Sequence, residues 1–163
     1  MATVGKNLSA YDPEQTPDAS PFRFGIVVSE WNQEITSNLL KGAVEALEEL
    51  GAKSSAVQII HVPGSFELPL GAQWMLETAK VDAVICLGSV IRGETAHFDF
   101  VCQTCAEGIK DVALKFSKPV VFGVLTDDHI DQSRARSGGA LGNKGTEAAV
   151  TAVKMVGLRL RSA

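Results

Sequence analysis

The sequence predicts an α/β protein in which helices cover both faces of a four-stranded parallel sheet, giving a three-layer α/β/α sandwich. From residue 22 onward, four short apolar runs alternate with longer amphipathic runs, which is the order of repeated strand–helix units. The short runs are rich in Val and Ile, as is typical of strands buried on both sides. Because crossovers between parallel strands are right-handed, these units are expected to form one doubly wound sheet.

The elements follow in a regular order along the chain. Strands are predicted at residues 24–29, 56–62, 83–87 and 120–125, and helices at 35–50, 68–78, 98–116, 130–137 and 146–160. In the first helix, Leu39, Ala43 and Leu47 recur at the spacing of a single buried face. Gly51 is the expected glycine at its C-terminal end.

The N-terminal segment differs in composition from the rest of the chain. Pro13, Pro17 and Pro21 stand among Ser, Thr, Asp and Gln, a composition that favours neither a helix nor a packed core. Residues 1–21 are therefore predicted to form an extended N-terminal arm. Residues 22–163 are predicted to form a single domain with its own core.

Composition and charge exclude several functional classes. The 163 residues are 45% hydrophobic and 21% charged, with a net charge of -4, which argues against disorder and against nucleic-acid binding. No apolar run is long enough to span a bilayer and no secretory signal is present, so a cytoplasmic location is expected. Cys102 and Cys105 form one C-x-x-C pair without a nearby histidine, and are expected to be buried thiols rather than metal ligands.

In sheets of this kind, ligands bind beyond the carboxyl ends of the strands, so the loops at these ends hold the candidate functional residues. The first loop contains Trp31 and Asn32. A flat heteroaromatic ligand could stack on an exposed indole at this position. The alternative is that Trp31 packs its loop against the following helix.

The second loop runs through Pro63 and Gly64, which predict a turn, to Ser65, Phe66 and Glu67. Ser65 is the expected cap of the next helix. Glu67 is either an ordinary acidic residue of a first helical turn or a carboxylate that accepts hydrogen bonds from ligand hydroxyls, with Phe66 beside it.

The third loop begins with Gly88, expected as a hinge after the strand, and continues through Thr95 to His97. Backbone N–H groups in a strand–glycine–helix arrangement can converge on an anion. His97 is an acid–base candidate because histidine carries protons near neutral pH. Alternatively, it is a loop histidine bonded to a backbone carbonyl. His61 and His129 are interpreted as structural.

The fourth strand is followed by a short helix with Arg134 and Arg136, and then by the glycine-rich residues 137–146. This stretch is not a phosphate-binding P-loop, because Asn-Lys-Gly-Thr after a helix replaces Gly-Lys-Thr after a strand. The guanidinium of Arg136 could still bind phosphate in a bidentate way. The alternative is that either arginine is an exposed surface charge.

Together the four loops resemble the lumazine synthase family, a similarity that covers about residues 22–160. The residues that carry it are Trp31-Asn32 with Ile35-Thr36, Pro63-Gly64-Ser65-Phe66-Glu67-Leu68-Pro69, Gly88-Ser89-Val90-Ile91-Arg92-Gly93-Glu94-Thr95-Ala96-His97-Phe98, and Arg136 before Gly142-Asn143-Lys144-Gly145. Because the last two motifs are long and specific, the functional interpretations of Trp31, Glu67, His97 and Arg136 are preferred.

The resemblance implies a flavodoxin-like fold and a transferase that condenses 5-amino-6-(D-ribitylamino)uracil with 3,4-dihydroxy-2-butanone 4-phosphate. The products are 6,7-dimethyl-8-ribityllumazine, phosphate and water, formed in the penultimate step of riboflavin biosynthesis. No cofactor and no metal are implied. The residues implied for the uracil substrate are Trp31, Asn32, Ser65, Phe66, Glu67, Ser89, Val90, Ile91, Phe122 and Lys144.

For the second substrate, the resemblance implies that backbone N–H groups of Glu94 and Thr95 and the side chain of Arg136 hold the phosphate. His97 would move protons during imine formation, phosphate loss and ring closure. Family sites lie between subunits, so Phe122 and Arg136 would come from the adjacent chain.

The resemblance also implies a homo-oligomer, either a pentamer or an icosahedral capsid of 60 subunits, with the arm against a neighbouring subunit. The short 138–145 link lacks the insertion of pentamer-only relatives and so favours the shell. Riboflavin synthase is a candidate partner. Two positions depart from the family: Trp31 replaces a more usual phenylalanine, which could tighten binding of flavin-like rings, and Ala140 stands where many members carry lysine.

Two other classes of protein compete with this interpretation. A flavodoxin-like electron carrier has the same architecture, but it needs a Ser/Thr/Gly-rich phosphate loop after the first strand, where this chain has Ser29-Glu30-Trp31-Asn32. A non-catalytic flavin-binding or cage-forming relative would keep the shape without the chemistry. The presence of both His97 and Arg136 argues against it.

Overall fold

A single parallel sheet with helices on both faces organises the computed structural model, which describes residues 7–161. Its strands are β1 (Phe24–Ser29), β2 (Val57–Val62), β3 (Ala83–Ile91) and β4 (Val120–Asp127). The helices are α1 (Gln33–Glu49), α2 (Leu68–Thr78), α3 (His97–Phe116), α4 (Ile130–Arg136) and α5 (Lys144–Arg161). The strand order is β2-β1-β3-β4 with every pair parallel, which confirms the predicted fold class.

Two hydrophobic clusters lie on opposite faces of the sheet. Successive side chains of a strand point to opposite faces, so Ile26 packs with α1 and α5 while its neighbour Val27 packs with α2 and α3. In the same way, Ile85 belongs to the first cluster and Cys86 to the second. The two clusters give the three layers that the alternation of apolar and amphipathic runs predicts.

The central strands are buried throughout most of their length, but the edge strands are not. All of β1 is buried, whereas Ile59 on β2 is 42% exposed and His61 is exposed as well. On β4, the opposite edge, Val120, Val121 and Phe122 are half-buried. The prediction that all four strands are covered on both faces is confirmed only in part for β2 and β4. Val121 and Phe122 of β4 pack against opposite clusters, but the edge strands are more exposed than the central ones because each has a neighbour on one side only.

The third strand is longer than its apolar run predicts. Instead of ending at Leu87, β3 continues to Ile91 and pairs there with Asp127 of β4. Gly88 is thus a residue within the strand and not a hinge. A side chain would not fit at this position, because a Cβ atom on Gly88 would lie 2.6 Å from the hydroxyl of Ser65.

The ends of the first two helices differ in how well the sequence predicts them. Gly51 follows α1 with a φ of 98°, the left-handed conformation expected of a glycine after a helix. Ser65 does not cap α2. It begins a short 3-10 turn, Ser65–Glu67, so that Glu67 precedes the helix without a side-chain capping bond.

The described part of the arm, residues 7–21, packs against its own domain. The N–H of Leu8 donates to the carbonyl of Leu141 over 2.8 Å, and the N–H of Ala19 donates to the carbonyl of Leu50 over 2.8 Å. Ala19 is fully buried in the core, and Pro13–Gln15 form a 3-10 turn. The expectation that this segment packs no core is therefore wrong at Ala19. Residues 1–6 of the predicted arm lie outside the described residues.

A small antiparallel hairpin between α4 and α5 was not predicted. Its strands are β5 (Ser137–Gly139) and β6 (Gly142–Asn143), in the glycine-rich stretch. Gly142 has a φ of 81°, and a Cβ atom there would lie 2.7 Å from the backbone nitrogen of Ser9. The close approach of the arm thus requires glycine at this position. No helix within residues 7–161 is both long and apolar enough to cross a membrane.

Candidate active site

One open cavity of about 630 Å³ lies at the carboxyl ends of β1, β2 and β3, where the topology of the sheet predicts a ligand site. The loops after these strands and the start of α3 supply its walls. The lining residues are Trp31, Asn32, Gly64, Ser65, Phe66, Glu67, Ser89, Val90, Ile91, His97 and Val101. The structure therefore brings together most of the residues predicted to bind the uracil substrate, and His97 with them.

The indole of Trp31 is 72% exposed, so it does not pack its loop against α1. A Cβ atom placed on Gly64 would lie 3.3 Å from Cδ1 of Trp31, so the turn after β2 lies directly beside the ring. Asn32 has a φ of 55°, and its side-chain amide donates to the carbonyl of Ser89 over 2.9 Å. This bond attaches the turn after β1, which holds Trp31 at the mouth of the cavity, to β3.

The carboxylate of Glu67 is half-buried and accepts no hydrogen bond from any residue that the structure describes. Its Oε2 atom lies 3.0 Å from the position of a Cβ atom on Gly64. Phe66 beside it is 54% exposed. This stretch of wall thus presents an unpaired acceptor and an apolar ring to the cavity, a combination suited to a polyhydroxylated chain.

The imidazole of His97 is exposed at the first residue of α3. Its backbone N–H approaches Oγ1 of Thr95 at 3.5 Å, but its ring makes no hydrogen bond within residues 7–161. The alternative prediction, in which the ring of His97 bonds to a backbone carbonyl, is therefore wrong. An unpartnered imidazole that lines a cavity can take up and release protons there.

Before α3, Arg92 is held by hydrogen bonds, whereas Glu94 and Thr95 lie in an exposed loop. Arg92 donates to Asp128 over 2.8 Å and to Asp99 over 3.2 Å, and lies over the ring of Phe98. The hydrogen bonds to Asp128 and Asp99 raise the pKa of Arg92. Glu94 and Thr95 are exposed and do not line the cavity of the single chain. Sequence reasoning did not single out Arg92.

The two arginines of α4 have different surroundings. Arg134 donates to Glu34 through two bonds of 2.9 and 3.0 Å and to Asp131 over 3.0 Å. The bond to Glu34 is the largest cause that raises the pKa of Arg134, and it also lowers the pKa of Glu34. In Arg136, only Nη1 is bonded to a described residue, the carbonyl of Gln132, over 3.0 Å. Arg134 is thus a structural cation, whereas Arg136 keeps donors that no described residue uses.

Phe122 and Lys144 lie outside this cavity. Both line a second groove, of about 880 Å³, between the edge strand β4 and α5. Nζ of Lys144 donates there to Oε1 of Glu147 over 2.9 Å. The single chain therefore separates these two predicted residues from Trp31 and His97.

The cysteines are free thiols. Cys105 is buried, and burial followed by the charge of Cys102 raises the pKa of Cys105 to about 12. Among residues 7–161, no three His, Cys, Asp or Glu side chains are grouped so that they could hold a metal ion.

Fold and cavity together define a doubly wound α/β protein with a cavity of small-molecule size at the carboxyl edge of its sheet. The model of the family described as 6,7-dimethyl-8-ribityllumazine synthase matches residues 21–159. The chain belongs to this family and is therefore a transferase of riboflavin biosynthesis.

Curated relatives agree with the family match over almost the whole chain. The chain is 54% identical over 160 residues to a 6,7-dimethyl-8-ribityllumazine synthase of Christiangramia forsetii, covering 98% of this chain and 95% of the relative. It is 55% identical to a protein of the same name from Flavobacterium johnsoniae, over 98% of this chain and 84% of the relative. It is also 55% identical to one from Cytophaga hutchinsonii, over 96% of this chain and 98% of the relative. This coverage favours the transferase over a flavodoxin-like electron carrier.

Proposed function

We propose that the chain condenses 5-amino-6-(D-ribitylamino)uracil with 3,4-dihydroxy-2-butanone 4-phosphate to 6,7-dimethyl-8-ribityllumazine, with release of phosphate and water. The observation that supports this most is the meeting of an exposed indole, an unpaired carboxylate and an unpaired imidazole, those of Trp31, Glu67 and His97, around one cavity. The names of the family and of its relatives agree with this product.

The cavity offers complementary surfaces for each part of the uracil substrate. The pyrimidine would stack on Trp31, beside Asn32, with its polar edge against the end of β3 at Ser89, Val90 and Ile91. The ribityl chain would lie along Ser65, Phe66 and Glu67. Glu67 has no other hydrogen-bond partner among the described residues, so its carboxylate can accept from the ribityl hydroxyls.

The phosphorylated substrate would bind at the other end of the site. Backbone N–H groups of Glu94 and Thr95 and the guanidinium of Arg136 would hold its phosphate. His97 would carry protons between the two substrates as the imine forms and the phosphate leaves. The amine is already nucleophilic and phosphate is a good leaving group, so the alignment of two substrates supplies much of the rate. The proposed reaction uses no cofactor and no metal.

The site would be completed by a neighbouring copy of the chain in a homopentamer, which could assemble further into a 60-subunit icosahedral capsid. The placement of Phe122 and Lys144 in the groove between β4 and α5, outside the cavity of their own chain, supports this, as these residues would serve the cavity of the adjacent subunit together with Arg136. Exposed apolar side chains such as Phe100, 69% exposed, and Leu114, 71% exposed, would be covered by such contacts.

We propose that residues 1–21 form an arm and residues 22–163 the lumazine synthase domain, a division supported by the family match from residue 21. The arm would lie against a neighbouring subunit. A cytoplasmic location and riboflavin synthase as a partner are proposed from the place of the reaction in riboflavin biosynthesis.

The proposed activity is tested by following the absorbance of the lumazine product after the purified protein is mixed with both substrates. Product formation well above the spontaneous rate is expected. Arg136→Ala should raise the half-saturating concentration of the phosphorylated substrate and reduce turnover. Arg134→Ala is the matched control, since it removes a guanidinium of the same helix that is bound to Glu34. Product at the spontaneous rate only would overturn the proposal and leave a flavin-binding or cage-forming relative.

A further inference from the structure

A series of polar contacts runs from the end of β3 to Arg136 on α4. The hydroxyls of Ser89 and Ser133 are 3.4 Å apart. The hydroxyl of Ser133 donates to Oδ2 of Asp127 over 2.7 Å, and Oδ1 of Asp127 lies 4.0 Å from Nη1 of Arg136. Ser89 is 2% exposed, Ser133 is fully buried and the side chain of Asp127 is 12% exposed, so these groups have little access to water.

The hydrogen-bond chemistry gives this series a direction. A serine hydroxyl has one proton, and that of Ser133 is used in the bond to Asp127. In the contact between the two serines, Ser89 must therefore be the donor. Ser89 thus donates to Ser133 and Ser133 donates to Asp127, so the last bond holds the carboxylate of Asp127 in one orientation. A buried series of this kind is costly to interrupt, since any group that loses its partner stays away from water.

The carboxylate of Asp127 faces Nη1, the one nitrogen of Arg136 that is bonded to a described residue. Nη1 donates to the carbonyl of Gln132 over 3.0 Å and lies within ion-pair distance of Asp127. Nε and Nη2 make no hydrogen bond with the described residues. A guanidinium binds phosphate through two parallel N–H donors, so fixing Nη1 decides where the remaining donors point.

Arg134 on the same helix shows the contrasting arrangement. It makes short bonds to Glu34 and to Asp131, which occupy Nε, Nη1 and Nη2. The contact of Asp127 with Arg136 is longer, at 4.0 Å, and involves one edge of the guanidinium only. It can orient Arg136 without using the donors that a phosphate needs.

From these contacts we propose that Asp127 is a positioning residue for Arg136, and that Ser133 and Ser89 hold Asp127 in place. The inference rests on the proposed function, in which Arg136 binds the phosphate of the second substrate. Asp127 does not touch the substrate. It sets the orientation in which the guanidinium meets the phosphate, and therefore affects the phosphorylated substrate more than the uracil substrate.

The test compares the steady-state kinetics of the full-length protein with those of Asp127→Asn, Arg136→Ala and the double variant. Asp127→Asn keeps the shape of the side chain and an acceptor for Ser133 but removes the charge. It should raise the KM of the butanone phosphate by about threefold to fivefold, the size expected of one partly exposed ion pair, and leave the KM of the uracil substrate unchanged. In the Arg136→Ala background the same change should have no further effect.

Asp131→Asn is the matched control, because Asp131 lies on the same helix and faces Arg134 instead of Arg136. It should leave both KM values unchanged. Ser133→Ala provides a second variant in case Asp127→Asn does not fold, and should change the same KM in the same direction. An equal rise in both KM values, or an effect of Asp127→Asn that persists without Arg136, would overturn the inference.

The outcomes separate this inference from the proposed function. A wild-type protein that forms no product overturns both. If the wild-type protein is active and Arg136→Ala is impaired, but Asp127→Asn and Ser133→Ala behave as the wild type, the proposed function stands and Asp127 has no positioning role.

Discussion

The side-chain amide of Asn32 donates to the backbone carbonyl of Ser89 over 2.9 Å, and this bond joins the loop after β1 to the end of β3. The backbone of Asn32 is left-handed, with a φ of 55°, a conformation that Asn adopts more readily than most residues. One residue thus supplies both the turn and its attachment. Trp31, which precedes it, is held at the cavity mouth although its own ring is exposed.

Two replacements of Asn32 separate the contribution of its hydrogen bond from that of its left-handed backbone. Asn32→Gly tolerates the positive φ but loses the hydrogen bond, so the free energy of unfolding should fall by about 1 to 2 kcal/mol. Asn32→Ala loses the bond and also strains the backbone, so its free energy of unfolding should be lower by about a further 1 kcal/mol. Urea unfolding followed by circular dichroism measures both values. Equal stability of the two variants would show that the left-handed backbone is not retained at this position.

Gly64→Ala should weaken binding of the uracil substrate without unfolding the protein. The backbone of Gly64 is extended, with a φ of -146°, so alanine is tolerated there. Its Cβ atom would lie 3.0 Å from Oε2 of Glu67 and 3.3 Å from Cδ1 of Trp31, and both side chains must shift. A loss of about twofold to fivefold in affinity is expected, smaller than the loss of a whole base stacked on an aromatic ring.

Equilibrium titration of the uracil substrate measures this effect. Gly93→Ala is the matched control, because a Cβ atom on Gly93 would meet nothing within 4 Å. If Gly64→Ala binds as tightly as the control, the position of Trp31 does not matter for the ligand.

Much of the fold could be predicted from the sequence, because its signals are local. The bounds of β1 and α2 agree with the periodicity of residues 24–29 and 68–78. The extension of β3 beyond Leu87 could not be predicted in this way, since Gly88 inside a strand has the same local signature as a hinge. Only the pairing with β4, up to Asp127, shows that the strand continues.

The candidate site, like the fold, could be predicted only in part from the sequence. The meeting of Trp31, Glu67 and His97 follows from the rule that the carboxyl ends of parallel strands share one edge of the sheet. The contact of Ser133 with Asp127 had no such signal. It depends on how α4 packs back against the end of β4, which the spacing of the two residues alone does not determine.

His97→Ala should slow the reaction and leave measurable activity. The imidazole lines the cavity and has no hydrogen-bond partner among the described residues, so its loss removes the proposed proton carrier without breaking a structural contact. A single general acid or base contributes up to about 10² to 10⁴ in rate. Single-turnover measurements with saturating substrates should show the loss in the chemical step. An unchanged rate would remove His97 from the mechanism.

The single tyrosine of the sequence, Tyr11, reports how the arm is attached. Its hydroxyl donates to Glu49, and burial, followed by this hydrogen bond and the charge of Glu49, raises the pKa of Tyr11 from 10.0 to about 12. The folded state therefore keeps a proton that the unfolded state releases, and the contribution to stability, complete below pH 10.0, is lost as the pH rises to about 12. Glu49→Gln removes the charge beside Tyr11 but leaves Tyr11 buried. In this variant the phenol of Tyr11 should therefore titrate between 10.0 and about 12. The ultraviolet absorbance of the phenolate measures both midpoints, and a wild-type midpoint at 10.0 would mean that the arm is detached in solution.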